Sequence, residues 1–544
     1  MAMTTSVLLL AAIGAPLALL LACMVPGLRK RMPLLLALAP IPALVAALLA
    51  DDTPVVLGNA QFALSFAMDE PGAMLLLVAA ILWIAAGAYA ATGLRGTVNA
   101  GSFVVCWLMT LTGCVGVFLA ADLVGFYFLL AVLSVGASGL VLQGGTAEAL
   151  RASAVYLGLA LIAEAFLLAG LVMLAMATPD GSLLIRDAAA AIPASPWRDL
   201  TLMLLVVGLG MKAGLVPLHF WMPLAYGAAP IPAAAVMSGA VVKASALALI
   251  RFLPFDIALP DFGLPLTTIG LFGAFYGVVI GIMQSQPKIV LAYSSVSQMG
   301  FLVAVIGMGL ANGDASATQA ASFYAAHHLL AKGALFLAVG VIATTGRRRL
   351  WLMLLPAAIL ALAIGGLPLT GGALAKLAVK PVLGEGLVEL LATLSAIGTT
   401  LLMLHFLHRL AASAAPDPSA SAPWGIALPW LLMFVAALVV PWTLYLVTGI
   451  GTWADVLQPA ILWAALWPIL IGAGLALGLW RWGRYLPRVP EGDIVVVGQP
   501  AMRVIVQWGD ALEQMEGVLR QWPVAGLSLL TLILILGGVM FNGH

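Results

Sequence analysis

Apolar runs of about 20 residues, the length needed to cross the hydrocarbon core of a bilayer, follow one another along almost the whole chain. The pattern predicts helices at roughly 4–26, 33–50, 71–91, 101–121, 123–143, 152–177, 200–222, 230–253, 262–283, 289–310, 319–344, 351–382 (interrupted), 386–411, 425–448, 460–480 and 524–541, about sixteen spans. One long polar stretch, from Arg481 to about Pro523, precedes the last run. In it Met502, Val504, Ile505, Trp508, Leu512, Met515, Val518 and Leu519 recur at helical spacing among Arg503, Asp510, Glu513 and Glu516. This predicts a cytoplasmic amphipathic segment at 481–523, lying on the inner surface, before a C-terminal transmembrane helix within 524–544. The first run is too long for a signal peptide, and basic residues follow rather than precede it. The expected fold is an all-α polytopic membrane protein.

Composition sharpens the picture. Of 544 residues 63% are hydrophobic and 8% charged, against roughly 25% charged in soluble proteins, and the mean hydropathy is +1.14. A net charge of +1 excludes a nucleic-acid binder driven by basic charge. Cys23, Cys106 and Cys114 sit in apolar runs without metal-ligand spacing. No metal, cofactor or disulfide framework is expected.

Charge also orients the chain. With the N-terminus outside, the cytoplasmic connections hold Arg29, Lys30, Arg31, Arg95, Arg151, Lys288, Arg347, Arg348, Arg349, Arg409, Arg481, Arg484, Arg488, Arg503 and Arg520. The outer ones hold only Arg186, Arg198 and Arg251, and collect Asp51, Asp52, Asp69, Glu70, Asp180, Asp187, Asp199, Asp256, Asp261, Asp314 and Asp455. That asymmetry follows the positive-inside rule and places both termini outside, in the periplasm of a bacterial inner membrane.

Five basic residues remain, Lys212, Lys243, Lys332, Lys376 and Lys380, all within or beside apolar spans. A lysine at mid-bilayer costs about 2.5–3.5 kcal/mol and persists where it faces a bundle interior or a wet cavity. For Lys380 the competing reading is snorkelling from a helix end. Glu164 is the one carboxylate deep inside a span; it is either a locally hydrogen-bonded acid or the counter-charge of a lysine on the next helix. Asp122, between spans, reads as a helix N-cap. His328 and Lys332, four apart, share a helix face beside His327. Imidazoles there suit a proton relay; a metal site is the rival, without acidic or Cys partners at ligand spacing. His405 and His408 read as interfacial. Two spans pair a lysine with a breaker: Gly208–Pro223, with Lys212, Pro217 and His219, and Gly365–Pro381, with Pro368, Lys376 and Lys380. Broken helices five spans apart point to an inverted repeat.

Lys212-Ala-Gly-Leu-Val-Pro-Leu-His-Phe-Trp-Met-Pro, followed by Ala229-Pro-Ile-Pro up to Lys243, resembles the signature of the antiporter-like subunits of respiratory complex I, Mrp-type multisubunit sodium/proton antiporters and formate-hydrogenlyase-type hydrogenases. Lys288-Ile-Val-Leu-Ala-Tyr-Ser-Ser-Val-Ser-Gln-Met-Gly, His328-Leu-Leu-Ala-Lys332 and Gly366-Leu-Pro-Leu-Thr-Gly-Gly-Ala-Leu-Ala-Lys376 are similar to later segments of that family, so the resemblance covers roughly 100–410. It implies a fourteen-helix core with two inverted five-helix repeats, each containing a broken helix. Helices 1–3 would occupy 1–100, the first repeat 101–253 (helices 4–8), the second 262–411 (helices 9–13) and peripheral helices 425–480. It implies a proton path through Lys212, Lys243, His328, Lys332 and Lys376, with His219, His327 and Lys380 as secondary members and breaks at Pro217 and Pro368.

One position departs. The family's fifth-helix glutamate, partner of the seventh-helix lysine, falls at Val132 in Phe126-Tyr-Phe-Leu-Leu-Ala-Val132-Leu-Ser. The expectation is that Glu164 replaces it. The expected function is proton translocation as a subunit of a multisubunit membrane complex in a lipid bilayer, with other membrane subunits as partners and no nucleic acid. The alternatives are a Mrp-type subunit exchanging Na+ or K+ for protons and a membrane-coupling subunit of an inorganic-carbon uptake system. No chemistry of its own is expected; within a proton-pumping oxidoreductase it would be an NADH-dehydrogenase-like or hydrogenase-like subunit.

Overall fold

Proline and glycine decide where the apolar runs become helices and where they break. The computed structural model describes residues 2–29, 31–59, 62–94, 100–178 and 181–485. The helices are, in order, α1 (Ala2–Ala22), α2 (Pro26–Arg29), α3 (Ile41–Leu49), α4 (Glu70–Gly93), α5 (Ala100–Leu119), α6 (Leu123–Leu142), α7 (Ala147–Ala177), α8 (Ile185–Ala191), α9 (Arg198–Ala213), α10 (Trp221–Ala228), α11 (Ile231–Val236), α12 (Lys243–Phe252), α13 (Pro260–Gly281), α14 (Pro287–Asn312), α15 (Ser316–Ala343), α16 (Leu350–Gly365), α17 (Gly371–Leu383), α18 (Leu387–Ala412), α19 (Trp424–Val447), α20 (Trp453–Val456) and α21 (Pro459–Trp482). Most of the amphipathic segment at 481–523 and the last expected span, 524–544, lie outside the described residues, as do Lys30, Arg95 and Asp180.

Among the described residues twelve helices are long and apolar enough to cross a membrane, with 231–252 counted as one. The chain is a multi-pass membrane protein. The run at 33–50 is not one helix: a 3₁₀ turn at Met32–Leu35 leads through turns to α3, which begins only after Pro40. The run at 351–382 divides into two half-helices, α16 and α17, whereas that at 200–222 breaks after α9 and its second half-helix, α10, begins only at Trp221 and continues to Ala228, past the expected end. A two-stranded antiparallel hairpin, β1 (Val55–Asn59) and β2 (Phe62–Phe66), was not part of the all-α expectation. Val55 is buried and Val56 exposed, the period of a strand with one covered face.

Short polar side chains start the long helices. Asp69 accepts from the Gly72 amide at 2.9 Å, Asp122 from Gly125 at 2.7 Å and Thr146 from Ala149 at 3.1 Å, each satisfying an amide that has no partner within its helix. Asp122 also accepts from the Ser65 amide at 2.6 Å, so the α6 cap ties down the hairpin.

The most buried stretches are 231–252, 287–312 and 316–343, whereas only 22% of the apolar window in α21 is buried. α11/α12, α14 and α15 therefore form the centre and α21 the rim. α13 and α14 approach closely through glycines: a Cβ at Gly270 would lie 2.5 Å from the Gly300 carbonyl oxygen. In an apolar solvent such backbone contact replaces the hydrophobic drive of soluble packing. At one end of the central helices Arg251 makes a bidentate pair with Asp69 (2.6 and 2.8 Å) and donates to the Val117, Phe118 and Ala120 carbonyls. One guanidinium thus joins α12 to the end of α5 and the start of α4.

Candidate functional site

In the first half, α9 ends at Ala213 because Gly214 adopts φ +74° and the Leu215 amide bonds back to Gly210 at 2.9 Å, a glycine-dependent C-cap. Lys212 therefore sits in the last turn, where a cation meets the negative end of the helix dipole. The Trp221 indole, from α10, donates to the freed Met211 carbonyl at 3.0 Å. This is how a break survives at membrane depth: protein groups satisfy the released backbone.

Lys212 Nζ lies 2.7 Å from Glu164 Oε1 of α7 and 2.7 Å from Ser134 Oγ of α6. Only 11% of the lysine side chain and 8% of the glutamate side chain are exposed. Glu164 thus occupies the ion-pair position opposite Lys212, while Val132, on the same helix as Ser134, carries no charge. Ser134, a polar residue in an apolar run, was not singled out from the sequence, and its hydroxyl is the amine's second acceptor. A cavity of about 30 Å³, enough for one or two waters, touches Lys212, Ser134, Tyr156 and Ser245 and so extends from the lysine toward the start of α12.

The centre is buried and basic. A π-helical turn at Met237–Val241 separates α11 from α12, a distortion common at functional positions, and Lys243 follows it. Lys243 and Lys332 are both 0% exposed and His328 is 2% exposed. Lys243 Nζ lies 2.9 Å from His328 Nδ1 and 3.3 Å from Met299 Sδ. In the first contact one nitrogen must offer its lone pair, so the two groups cannot both be fully protonated while it persists. Lys332, one turn beyond His328 on α15, donates to the Leu291 carbonyl at 2.7 Å. His328 Nε2 is buried without a protein hydrogen-bond partner among the described residues. Nearby, Tyr324 Oη donates to Gln298 at 2.6 Å and Gln298 donates to Thr399 at 3.1 Å. Gln298 lies in the Lys288–Gly300 motif, but nothing in the sequence pointed to Tyr324 and Thr399 as its partners.

The second half repeats the lysine-and-break theme. α16 ends at Gly365, Gly366 takes φ +101°, and α17 restarts at Gly371. Lys376 Nζ reaches back to the Gly365 carbonyl, again setting an amine on the negative end of a half-helix. His327 lies against the restart: a Cβ at Gly371 would come 2.7 Å from its Nδ1, and one at Gly372 3.1 Å from its Nε2. His327 therefore stands between the central helix and the broken one. Pro217 and Pro368 lie in the two connections, 214–220 and 366–370, and His219 is fully buried against Tyr276 with ring centroids 4.9 Å apart. Lys380 is 57% exposed and pairs with Glu389 of α18 at 3.1 Å. His405 meets the Gln284 carbonyl at 2.8 Å, and His408 packs on Trp480.

The family profile described as "NADH:quinone oxidoreductase/Mrp antiporter, TM" matches residues 120–403. Over 292 residues the chain is 35% identical to an NADH-quinone oxidoreductase subunit of Desulforudis audaxviator, covering 52% of this chain and 57% of that one. Over 296 residues it is 29% identical to a Na(+)/H(+) antiporter subunit of Alkalihalophilus pseudofirmus, covering 53% and 59%. The chain thus spans somewhat over half the length of these curated relatives. A chain in the structure of the Mrp complex from Dietzia sp. DQ12-45-1b superposes with a TM-score of 0.77 at 21% identity, over 99% of this chain and 63% of that one; it shares the fold.

Proposed function

The chain belongs to the NADH:quinone oxidoreductase/Mrp antiporter transmembrane family, and from that membership we propose that it is a proton-translocating subunit of a multisubunit membrane complex. Protons move along Glu164, Lys212, Lys243, His328, Lys332 and Lys376. The observation that carries this reading is the Lys243–His328 hydrogen bond at 2.9 Å inside the buried core, with Lys332 one turn away. Basic groups packed this closely repel one another's charge, by about 4 kcal/mol for two unit charges 4 Å apart at an effective permittivity near 20. A proton arriving on one favours departure from another. The two ends differ from the centre: Lys212 borders the small cavity, and Lys376 borders a larger one. The halves at 101–253 and 262–411 act as inverted repeats, each presenting its lysine at a half-helix end.

A Mrp-type reading, exchange of Na+ or K+ for protons, is favoured by the similarity to the Na(+)/H(+) antiporter subunit and to the Mrp complex chain. Against it, the row's one carboxylate, Glu164, is already paired with Lys212, and protonated lysines repel a metal cation. We propose that both termini lie on the outer face of an inner membrane; the charge asymmetry of the connections in the sequence supports this reading.

The native assembly, purified in mild detergent, tests the assignment. Companion chains with redox centres are expected, and Lys212→Ala should then uncouple proton movement from electron transfer in proteoliposomes. Companions lacking redox centres, with Na+-dependent proton movement abolished by the same variant, would replace this reading with the exchanger.

A further inference from the structure

The row's second end has a feature that none of the motifs covers. A cavity of about 150 Å³ opens between α17, α18 and α21, room for about five waters at liquid density. Lys376, less exposed than Lys380, lines it together with Lys380, Glu389 and Thr393. Lys376 and Lys380 are one turn apart on one face of α17, so the two amines follow the same wall. Beyond Lys380, Gly384 and Gly386 take φ +67° and +103° and turn the chain sharply, which brings Glu389 of α18 back to within 3.1 Å of Lys380. The pair bridges two of the helices that bound the cavity. It is also half-exposed, at 57% and 34%, so it favours the bridged geometry by a factor of about five at most. Lys243 and Lys332, by contrast, have no exposure at all.

We infer that Lys380 and Glu389 form the gate of a water-filled vestibule joining Lys376 to one face of the membrane, and that Glu389 is the last protein group to hold the proton. When Lys380 swings away, an N–H bond of protonated Lys376 breaks and its proton passes to a vestibule water. That water gives a proton to the Glu389 carboxylate, which forms an O–H bond and then releases the proton to bulk water. The proton step rests on the conduction reading above; the vestibule and its gate do not.

The test places Ala392→Cys, on the cavity wall, in the full chain in sealed native membrane vesicles of both orientations. Modification by membrane-impermeant anionic and cationic thiosulfonates is timed, with the parent chain supplying the background from its own cysteines and Thr393→Cys as a second reporter. The expected result is labelling from one face only. Breaking the pair, by Lys380→Met or Glu389→Gln, should speed both reagents by about fivefold, and the swap of Lys380→Glu with Glu389→Lys should restore the parent rate. Labelling from neither face overturns the vestibule. Unchanged rates overturn the gate, and so do rates that move in opposite directions for the two reagents, since the pair would then be surface charge alone. Gated labelling without proton transport would leave the gate standing and remove the conduction reading.

Discussion

The Glu164–Lys212 contact gives the most exposed prediction. At 2.7 Å two unit charges attract by about 6 kcal/mol at an effective permittivity near 20, and the desolvation of both groups opposes this. Removing one partner from such a buried pair costs about 3–5 kcal/mol, because the other charge stays behind uncompensated. Each side chain keeps a little exposure, and Lys212 keeps its bond to Ser134, so the low end, about 3 kcal/mol, is expected for Glu164→Gln. Lys212→Met should cost a similar amount by stranding the carboxylate. The double variant removes both charges together and should be nearly as stable as the parent, so the two single losses of about 3 kcal/mol give a coupling energy of about 6 kcal/mol. Reversible unfolding in mixed micelles measures this cycle, and a pH-sensitive dye in proteoliposomes reports transport. All three variants should fail to transport. A coupling below about 0.5 kcal/mol, with single losses that simply add, would refute the claim that Glu164 is the lysine's partner.

Lys332→Met should separate stability from function: replacing a buried charge by an apolar side chain of similar length is neutral or stabilising, yet proton transport should vanish, as unfolding and dye assays on one sample will show. Gly372→Ala should cost at least about 1–3 kcal/mol and transport as well, because its Cβ would overlap the Ala363 carbonyl that the break brings close; a melting temperature equal to the parent's would contradict this. At Asp69, burial alone would raise the carboxyl's pKa, but the Arg251 guanidinium and the Gly72 amide hold it below the ordinary value. Its contribution is therefore complete above about pH 3.9 and is lost as the pH falls through the lower folded value. Melting from pH 5 downward should show this acid loss in the parent and a smaller one in Asp69→Asn.

Much of the architecture was legible because a bilayer imposes a strict code. Twenty apolar residues make a span, and each lysine within one is conspicuous. The runs themselves set the spans; the lysines at 212, 243, 332 and 376 and the prolines at 217 and 368 marked the candidate row and its breaks. The split of 33–50 was less legible, because apolar content outweighed the Pro40 signal. The hairpin at 55–66 was hidden because two five-residue strands carry little periodicity beside spans of twenty.

Pairings are another matter. The sequence and its family resemblance suggested Glu164 as the partner of Lys212, 48 residues away; the packing of α7 against α9 is what sets them 2.7 Å apart. Ser134 against Lys212, Asp69 against Arg251 and Glu389 against Lys380 arise in the same way, from helices distant in sequence that share a wall. The physical reason is that periodicity and composition record what each residue prefers as its surroundings, apolar, wet or helical. Which charge neutralises which depends on helix rotation and contact, and these exist only once the bundle has formed.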